Sequence, residues 1–381
     1  MEKRSLKNRK NCSNNIGAFF ALLSSGLWEK SVRLSALGKI DYTEVLSLAE
    51  GQSVVGLVTV GLEHVNDVTV PQVERLLFIG KSVNIEQQNE AMNQFVGELV
   101  VKMRKADIYT VLVKGQGIAQ CYERPLWRAC GDVDFLLSED NYEKAKHILL
   151  PIARNVGKEY EYNQHQALTT GAYTVELHGN LRCGLSGRMD AVIDEVQRDV
   201  FFGGNVRSWE NGKTCVFLPG IDCDVIFVFT HFLKHFYKGG LGLRQICDWS
   251  RLLWTYREEI NVAKLEKRLQ EMRLISEWKA FGALAVEYLG MPVEAMPLFD
   301  ASKRWKRKAK RIEDFVMMSG NFGHNRDSSY WTKYSYLIRK AFSMKRRVGD
   351  LINHASIFPM DFLRFFPSIV GHGFRSAIMG E

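Results

Sequence analysis

The chain has 381 residues and a formal net charge of +8, with 46% hydrophobic and 25% charged residues. This composition is that of a globular protein long enough for two or three domains, and it excludes an intrinsically disordered chain. No stretch reaches the roughly 18 apolar residues of a membrane span. Seven cysteines without a C-x-x-C pair favour free thiols in a reducing cytoplasm over a disulfide framework.

Residues 1–105 are predicted to be helical. The basic N-terminus and the short apolar run Ile16 to Leu23 imitate a signal peptide, but a polar insert separates them and no small-residue cleavage pattern follows. We interpret the run as part of an amphipathic first helix. Apolar residues then recur every three or four positions up to Arg104, and Pro71 suits the first turn of a helix. We expect this region to pack against a catalytic sheet.

Residues 106–219 change to an α/β pattern. Apolar runs predict strands at 110–113, 133–137, 173–177 and 216–219, and amphipathic spacing predicts helices at 117–122 and 139–150. The pair Asn211-Gly212 is typical of a hairpin turn. The predicted fold class is therefore α+β or α/β, a small mixed-sheet core flanked by N-terminal and C-terminal helical regions.

The first chemical motif of this core is a glycine turn. The apolar run Val111 to Val113 ends at Lys114-Gly115, and an amphipathic segment begins at once. A strand, a tight turn and a helix N-terminus in succession present free backbone N–H groups to an anion. Lys114, Gly115 and Gln116 are therefore candidate nucleotide-binding residues, although a lysine that closes a strand is as often simply solvated.

The second motif is a pair of carboxylates on one strand. In Asp132-Val-Asp134 the two acidic residues are at positions i and i+2 and face the same side. Hydrophobic neighbours make an unpaired charge there expensive to bury, so the pair needs a cation or abundant water. Mg²⁺ prefers one or two carboxylates together with waters and phosphate oxygens. The turn and the carboxylate pair together predict a nucleotide site that holds Mg²⁺.

A third carboxylate is expected from a neighbouring strand. Glu176 is the candidate, and His178 lies in phase with it on the same strand. With Glu176 beside Asp132 and Asp134, the site can hold two ions, one on the triphosphate and one that lowers the pKa of an attacking hydroxyl. This arrangement predicts in-line phosphoryl-type transfer. We interpret His178 as a structural hydrogen-bonding residue, and Glu176 could equally be a solvated strand residue.

These residues resemble the uncharacterised nucleotidyltransferases of the DNA polymerase beta-like superfamily. The resemblance covers roughly residues 99–253 and is carried by Lys114-Gly115, Arg128, Gly131-Asp-Val-Asp134, Val175-Glu-Leu-His178, His231-Phe-Leu-Lys-His235 and Leu243-Arg-Gln-Ile-Cys-Asp248. It implies that Gly115 is the glycine of the phosphate turn. It also implies that three carboxylates bind metal, those of Asp132, Asp134 and Glu176.

Two features near the turn leave alternatives open. The superfamily usually has Gly-Ser or Gly-Gly at the turn, whereas Gln116 follows Gly115 here, and the spacing to Asp132 is somewhat long. Arg128 either clamps a phosphate or forms an ion pair with Asp132. We favour the ion pair.

Residues 220–300 are predicted to return to helices. His231 and His235 are four residues apart and share a helix face, which is a metal-ligand spacing, but the Glu of an H-E-x-x-H motif is missing. We interpret both as packing histidines that face the nucleotide-binding core. In the next helix, Arg244 and Asp248 are also four residues apart, and we expect them to form an ion pair.

Residues 301–381 form a basic tail. From residue 302 onward there are 16 Lys and Arg against 6 Asp and Glu, whereas the rest of the chain has 35 against 37. A solvated helix face is the usual explanation for such a charge run. The aromatic-rich segment 357–370 supplies apolar side chains close in sequence to this positive charge. Basic and apolar side chains together also suit peripheral contact with an anionic membrane.

The sequence as a whole predicts a cytoplasmic Mg²⁺-dependent nucleotidyltransferase that moves an NMP from an NTP to a hydroxyl acceptor and releases pyrophosphate. The acceptor stays open among a sugar, a small molecule, a lipid-linked glycan, an RNA end and a protein side chain. A sugar-nucleotide glycosyltransferase is the rival, although it would place an α/β segment ahead of its Asp-x-Asp motif. A non-catalytic protein that binds membrane or nucleic acid through the tail is the third alternative.

Overall fold

The structure is a computed structural model that describes residues 2–160, 162, 164–238, 240–321 and 348–366, with side chains described from residue 14 onward. The N-terminal region is helical, as predicted. Its four helices are α1 (Glu2–Trp28), α2 (Tyr42–Gly51), α3 (Val55–Glu63) and α4 (Gln72–Arg104). The C-terminal half of α4 buries Met92, Val96 and Val100 in the same hydrophobic cluster as the central sheet. The long helix therefore packs the N-terminal region against the sheet.

A five-stranded mixed sheet forms the centre of the molecule, and this confirms the predicted architecture of a sheet between helical regions. Its strands are β1 (Val111–Val113), β2 (Asp132–Leu136), β3 (Asn155–Val156), β4 (His165–Thr170) and β5 (Tyr173–His178). Their order in space is β1-β2-β5-β4-β3. Strands β2 and β5 run parallel, and the other neighbours run antiparallel. Between these strands lie α5 (Gly115–Ala119) and α6 (Glu139–Leu149).

A hairpin follows the sheet after α7 (Gly187–Phe202). Its strands are β6 (Val206–Asn211) and β7 (Thr214–Pro219). The turn between them contains Asn211-Gly212, as predicted, and Gly212 has a φ of +60°, which a glycine adopts without steric cost. Val216 and Leu218 of β7 join the hydrophobic cluster of the central sheet.

Strand β4 was not predicted from the sequence. Its residues alternate between partly exposed and buried positions, but two of the three buried side chains are polar, those of Gln166 and Thr170. The alternation of apolar and polar residues that marks a half-buried strand is therefore absent. A tight turn at Gly171, with a φ of +62°, reverses the chain into β5.

The C-terminal region is helical, as predicted, and it is built around α8 (Ile221–Lys238). The remaining helices are α9 (Leu243–Thr255), α10 (Val262–Met272), α11 (Ile275–Leu289) and α12 (Lys303–Ser319), followed by helical segments at 348–357 and 359–366. Aromatic side chains fill its core, where Phe229 of α8 contacts both Trp249 and Trp278. In the part of the chain that the structure describes, no helix is long and apolar enough to cross a bilayer.

The described part of the basic tail packs against the rest of the protein. Trp305, Ile312 and Phe315 of α12 are buried on one face, while the charge run occupies the other. Lys306, for example, pairs with Glu287 of α11 at 2.7 Å. The charge run thus lies on the exposed face of an amphipathic helix.

The aromatic-rich segment also contributes to the core. Phe358 packs edge-on against Phe236 of α8, and Phe365 packs edge-on against Tyr237. Both phenylalanines are fully buried, so they do not form an apolar surface for a membrane. The rest of the predicted membrane-contacting segment, 367–370, and the second basic cluster, 345–347, lie outside the described residues.

Candidate active site

Three carboxylates converge where β2 and β5 run side by side. Asp134 pairs directly with Glu176 across the two parallel strands. Asp132 is two residues before Asp134 and therefore faces the same side. One oxygen from each of the three carboxylates lies within 4.8 Å of the other two. The structure thus brings together the three residues that were predicted as metal ligands.

Lys114 supplies the nearest positive charge to this cluster. It immediately follows β1, which pairs with β2, and its Nζ lies 2.7 Å from Oδ1 of Asp134. Burial disfavours the charged ammonium, but the attraction of Asp134, Glu176 and Asp132 outweighs it, so the pKa of Lys114 is raised above its ordinary value. Lys114 is therefore a charged member of the site and not a solvated strand end.

Two histidines surround Glu176. His178 places Nε2 2.8 Å from Oδ1 of Asp134 and 3.4 Å from Oε2 of Glu176. His165 of β4 places Nε2 3.1 Å from the same Oε2. Burial acts to raise the pKa of the Glu176 carboxyl, but the hydrogen bonds from both histidines and the charge of Lys114 lower it well below its usual range.

His165 is a residue next to the carboxylates that the sequence analysis missed, because it lies on the unpredicted strand β4. The signal that could have found it is the tight turn at Gly171, from which the antiparallel register places His165 directly opposite His178.

Asp132 has the opposite electrostatic environment to Glu176. The charge of Asp134, followed by burial and the charge of Glu176, raises the pKa of Asp132 to about 6, even though Lys114 acts to lower it. The repulsion between two neighbouring carboxylates makes Asp132 bind a proton more readily. A metal ion between the carboxylates would offset the same repulsion.

The glycine turn lies next to the carboxylates. Lys114 and Gly115 both have positive φ, at +59° and +42°. A Cβ at Gly115 would lie 3.3 Å from Sγ of Cys130 and 3.5 Å from the carbonyl oxygen of Asp132. The backbone of the turn therefore lies close to the start of β2. Gln116, in contrast, is 2% exposed, and its side chain donates a hydrogen bond to Asn89 of α4. Its side chain therefore points away from the three carboxylates.

The predicted ion pairs of Arg128 with Asp132 and of Arg244 with Asp248 are wrong. Arg128 instead makes two hydrogen bonds to Asp248, from Nε at 3.0 Å and from Nη2 at 2.5 Å. Both side chains are buried, and Tyr122 donates a third hydrogen bond to Asp248. Burial is the physical reason for this pairing, because a buried carboxylate is stable only when a charged partner and hydrogen bonds compensate it. Arg244 instead donates a hydrogen bond to the carbonyl oxygen of Ala129.

Two cavities adjoin the carboxylates. The larger, of about 220 Å³, is lined by Lys114, Asp132, Glu176, all four of the histidines at 165, 178, 231 and 235, and Lys234. The smaller, of about 50 Å³, is lined by Gly115, Asp132, Asp134, Arg128, Arg244 and Gln245. In the smaller cavity's lining, three buried donor atoms have no hydrogen-bond partner: Nη1 of Arg128, Nε of Arg244 and Nε2 of Gln245. Such a set of donors is suited to an anion.

His231 and His235 face the core from α8, as predicted. Their Nε2 atoms are 3.0 Å apart. Burial lowers the pKa of His231 well below its ordinary value, and burial together with the charge of Lys234 lowers the pKa of His235 to about 3. Both imidazoles are therefore neutral at pH 7. The pKa of Lys234 itself is lowered by burial and by the charge of Lys114.

One of three comparisons with known proteins found a match. A family model described as an uncharacterised nucleotidyltransferase matches residues 38–290. Searches of curated proteins and of solved structures found no match. The family match begins in the N-terminal helices and ends after α11, so it extends beyond residues 99–253, where the motifs lie. Because it covers well over half of the chain, this protein belongs to the uncharacterised nucleotidyltransferase family.

Proposed function

We propose that this protein transfers an NMP from an NTP to a hydroxyl-bearing acceptor, with Mg²⁺ bound by Asp132, Asp134 and Glu176. The observation that carries the proposal is the convergence of these three carboxylates within 4.8 Å beside the Lys114-Gly115 turn. Carboxylate oxygens are the ligands that Mg²⁺ prefers, so the donor set fits the ion. When bound there, Mg²⁺ would neutralise phosphate charge and lower the pKa of an attacking hydroxyl.

The reaction is a single in-line displacement at phosphorus. The acceptor oxygen forms a bond to the α-phosphorus, the bond from the α-phosphorus to the bridging oxygen breaks, and pyrophosphate leaves with that electron pair. The hydroxyl proton passes to water. Because its hydrogen bonds keep the pKa of Glu176 low, we assign Glu176 to holding a cation beside the acceptor and not to accepting the proton.

We assign the phosphates of the NTP to the side of the site where the smaller cavity lies. Gly115 turns the chain with a positive φ, and Lys114 carries the positive charge next to Asp134. The unpartnered donors of Arg128 and Arg244 supply further hydrogen bonds to phosphate oxygens. Arg128 would thus keep the phosphate contact considered from its sequence, through Nη1, while Nε and Nη2 bind Asp248 and not Asp132.

The acceptor enters from the larger cavity, which Glu176 also lines. Its polar lining accommodates a hydroxyl-bearing compound, and its class stays open between a sugar, a small molecule, a lipid-linked glycan, an RNA end and a protein side chain. The free cysteines of the described residues support the proposed cytoplasmic location. In the described part of the tail, Phe358 and Phe365 are buried whereas Met360, Leu363 and Phe366 are exposed, so membrane contact through the tail stays an alternative.

The test is to incubate the purified protein with Mg²⁺, a cell extract and each NTP in turn, labelled either at the α- or at the γ-phosphorus. We expect one NTP to transfer its α-label to an acceptor and to release its γ-label in pyrophosphate. Asp132→Asn is the control for contaminating activity. Transfer of the γ-label would indicate a kinase, and transfer of sugar from a UDP-sugar with Mn²⁺ would indicate the rival glycosyltransferase; either result would overturn the proposal.

A further inference from the structure

We propose that His165, Glu176 and His178 form a binding site for a transition-metal ion of the Mn²⁺ or Zn²⁺ type, adjacent to the Asp132 and Asp134 pair. The site is distinct in its ligands from the all-carboxylate site, because two of its three donors are imidazole nitrogens. It shares only Glu176 with that site.

The sheet register places the three donors on one face. His165 of β4 pairs directly with His178 of the antiparallel strand β5, so their side chains point to the same side. Their rings are tilted against each other, with centroids 4.7 Å apart. Glu176 is two residues before His178 and shares its face. All three donors are therefore held by regular strands, which position side chains more rigidly than loops do.

The distances match those between ligands of one ion. Oε2 of Glu176 lies 3.1 Å from Nε2 of His165 and 3.4 Å from Nε2 of His178. Atoms that bind a tetrahedral ion at roughly 2.0–2.2 Å are separated from one another by about 3.3–3.6 Å. One donor atom from each of the three residues lies within 4.8 Å of the others. Small side-chain movements would bring all three around one ion.

Nε2 of His178 lies between two carboxylates. Nε2 of His178 lies 2.8 Å from Asp134 and 3.4 Å from Glu176. A neutral imidazole nitrogen carries a single hydrogen, so His178 can donate to only one of these carboxylates at a time. To bind an ion through Nε2, His178 would give up its hydrogen bond to Asp134, whose Oδ1 would keep the ammonium of Lys114 at 2.7 Å.

The donor set selects the type of metal. Mg²⁺ is bound almost entirely through oxygen, whereas imidazole suits Zn²⁺ and other first-row transition metals. Three protein ligands also leave a position open, as catalytic zinc sites do. His231 and His235 add two more neutral imidazoles to the lining of the same cavity. If the proposed nucleotidyl transfer is correct, the open position would face the acceptor, and this inference about its role rests on that proposal.

The experiment uses the full-length protein and Mn²⁺ alone, without nucleotide. Electron spin-echo spectroscopy detects nitrogen nuclei that are bonded directly to Mn²⁺. We expect the wild-type protein to give the signal of coordinated imidazole and His165→Gln to weaken it. Zn²⁺ affinity, measured by competition with a chelating dye, is expected to fall by at least about tenfold in His165→Gln. His147→Gln, at an exposed position of α6, is the matched control and is expected to behave as wild type.

Absence of a nitrogen signal in the wild-type protein would overturn the site, and this measurement depends on no variant. Unchanged Zn²⁺ affinity in a folded His165→Gln protein, with a wild-type melting temperature, would overturn it as well. The proposed function fails separately. If the metal is bound through nitrogen but no NTP is turned over, the site stands and nucleotidyl transfer falls. If transfer proceeds with Mg²⁺ and no nitrogen signal is seen, transfer stands and the site falls.

Discussion

Asp134 and Glu176 are register partners on the parallel strands β2 and β5, and each has an imidazole of His178 within 3.4 Å. The position of these acidic groups is therefore fixed by backbone hydrogen bonding in the centre of a sheet. Placing three carboxylates together on such a scaffold costs free energy unless positive charge balances them. Where repulsion between carboxylates dominates, replacing one of them should therefore lower activity and raise the stability of the metal-free fold.

Asp132→Asn is expected to abolish nucleotidyl transfer and to stabilise the metal-free fold. The repulsion between Asp132 and Asp134 that raises the pKa of Asp132 is removed, so the free energy of unfolding should rise by about 1–2 kcal/mol at neutral pH. Urea unfolding without metal and labelled-NTP turnover with Mg²⁺ measure the two effects. Asp140→Asn, at an exposed position of α6, should change neither. Near wild-type turnover in Asp132→Asn would rule out its role as a metal ligand.

The carboxylate pair could be predicted from the sequence because both acidic residues stand in a short apolar strand, and a period of two places them on one face. Glu176 could be predicted because the same alternation marks β5. These inferences are local, and each depends on a few consecutive residues.

His165 and the partner of Arg128 could not be predicted in the same way. His165 lies on a strand whose buried positions hold Gln166 and Thr170, so polar residues conceal the pattern. Asp248 lies 120 residues after Arg128, and only the packing of α9 against α5 and α8 brings them together. The four-residue spacing predicted Arg244 as the partner of Asp248. This prediction failed because the spacing rule describes ion pairs on exposed helix faces and not buried carboxylates.

Glu176→Gln is expected to separate chemistry from binding. Asp132 and Asp134 still hold the metal–NTP complex, so NTP affinity should change by less than about threefold, or roughly 0.7 kcal/mol. The turnover rate should fall by on the order of 10² to 10⁴-fold, because the cation that Glu176 holds would no longer lower the pKa of the acceptor hydroxyl. Rapid-quench kinetics and calorimetry measure the two quantities. His178→Ala should reduce turnover less. Normal turnover in Glu176→Gln would show that Glu176 holds no cation needed for the reaction.

Gly115→Ala is expected to weaken NTP binding more than Mg²⁺ binding. The added Cβ would lie 3.3 Å from Sγ of Cys130, and a φ of +42° costs about 1 kcal/mol for a residue with a side chain, so the turn to which we assign the phosphates should shift. Calorimetry below the melting temperature measures both affinities. Gly80→Ala in α4, where a Cβ meets no atom within 4 Å, is the control. Unchanged NTP affinity would exclude the turn from the phosphate site.

Asp248→Asn is expected to destabilise the protein by about 3–5 kcal/mol, because the buried charge of Arg128 loses its counter-ion. The double variant Arg128→Met with Asp248→Leu should recover most of this loss in urea unfolding. If Arg128 also binds phosphate, the double variant should still bind NTP at least about tenfold more weakly than wild type. Wild-type affinity in the stable double variant would leave Arg128 with a structural role only.

The last prediction concerns pH and follows from the pKa of Asp132, which is raised to about 6. Metal binding requires the ionised carboxylate, so Mg²⁺ affinity should be constant above about pH 6 and should fall by up to about tenfold for each pH unit below it. The stability of the metal-free protein changes with pH in the opposite direction. Since the folded state binds the proton more tightly than the unfolded chain, protonation stabilises the fold at low pH, and this stabilisation is lost as the pH rises through about 6.

Calorimetric titration with Mg²⁺ and urea unfolding without metal, each from about pH 4 to about pH 7, test both halves of this prediction. Asp132→Asn cannot take up the proton, so its stability advantage over wild type should be small near pH 4 and should grow toward pH 7. The variant therefore separates Asp132 from every other group that titrates in this interval. A stability difference between wild type and Asp132→Asn that does not vary with pH would mean that Asp134 does not raise the pKa of Asp132, and that the two carboxylates do not share one ion site.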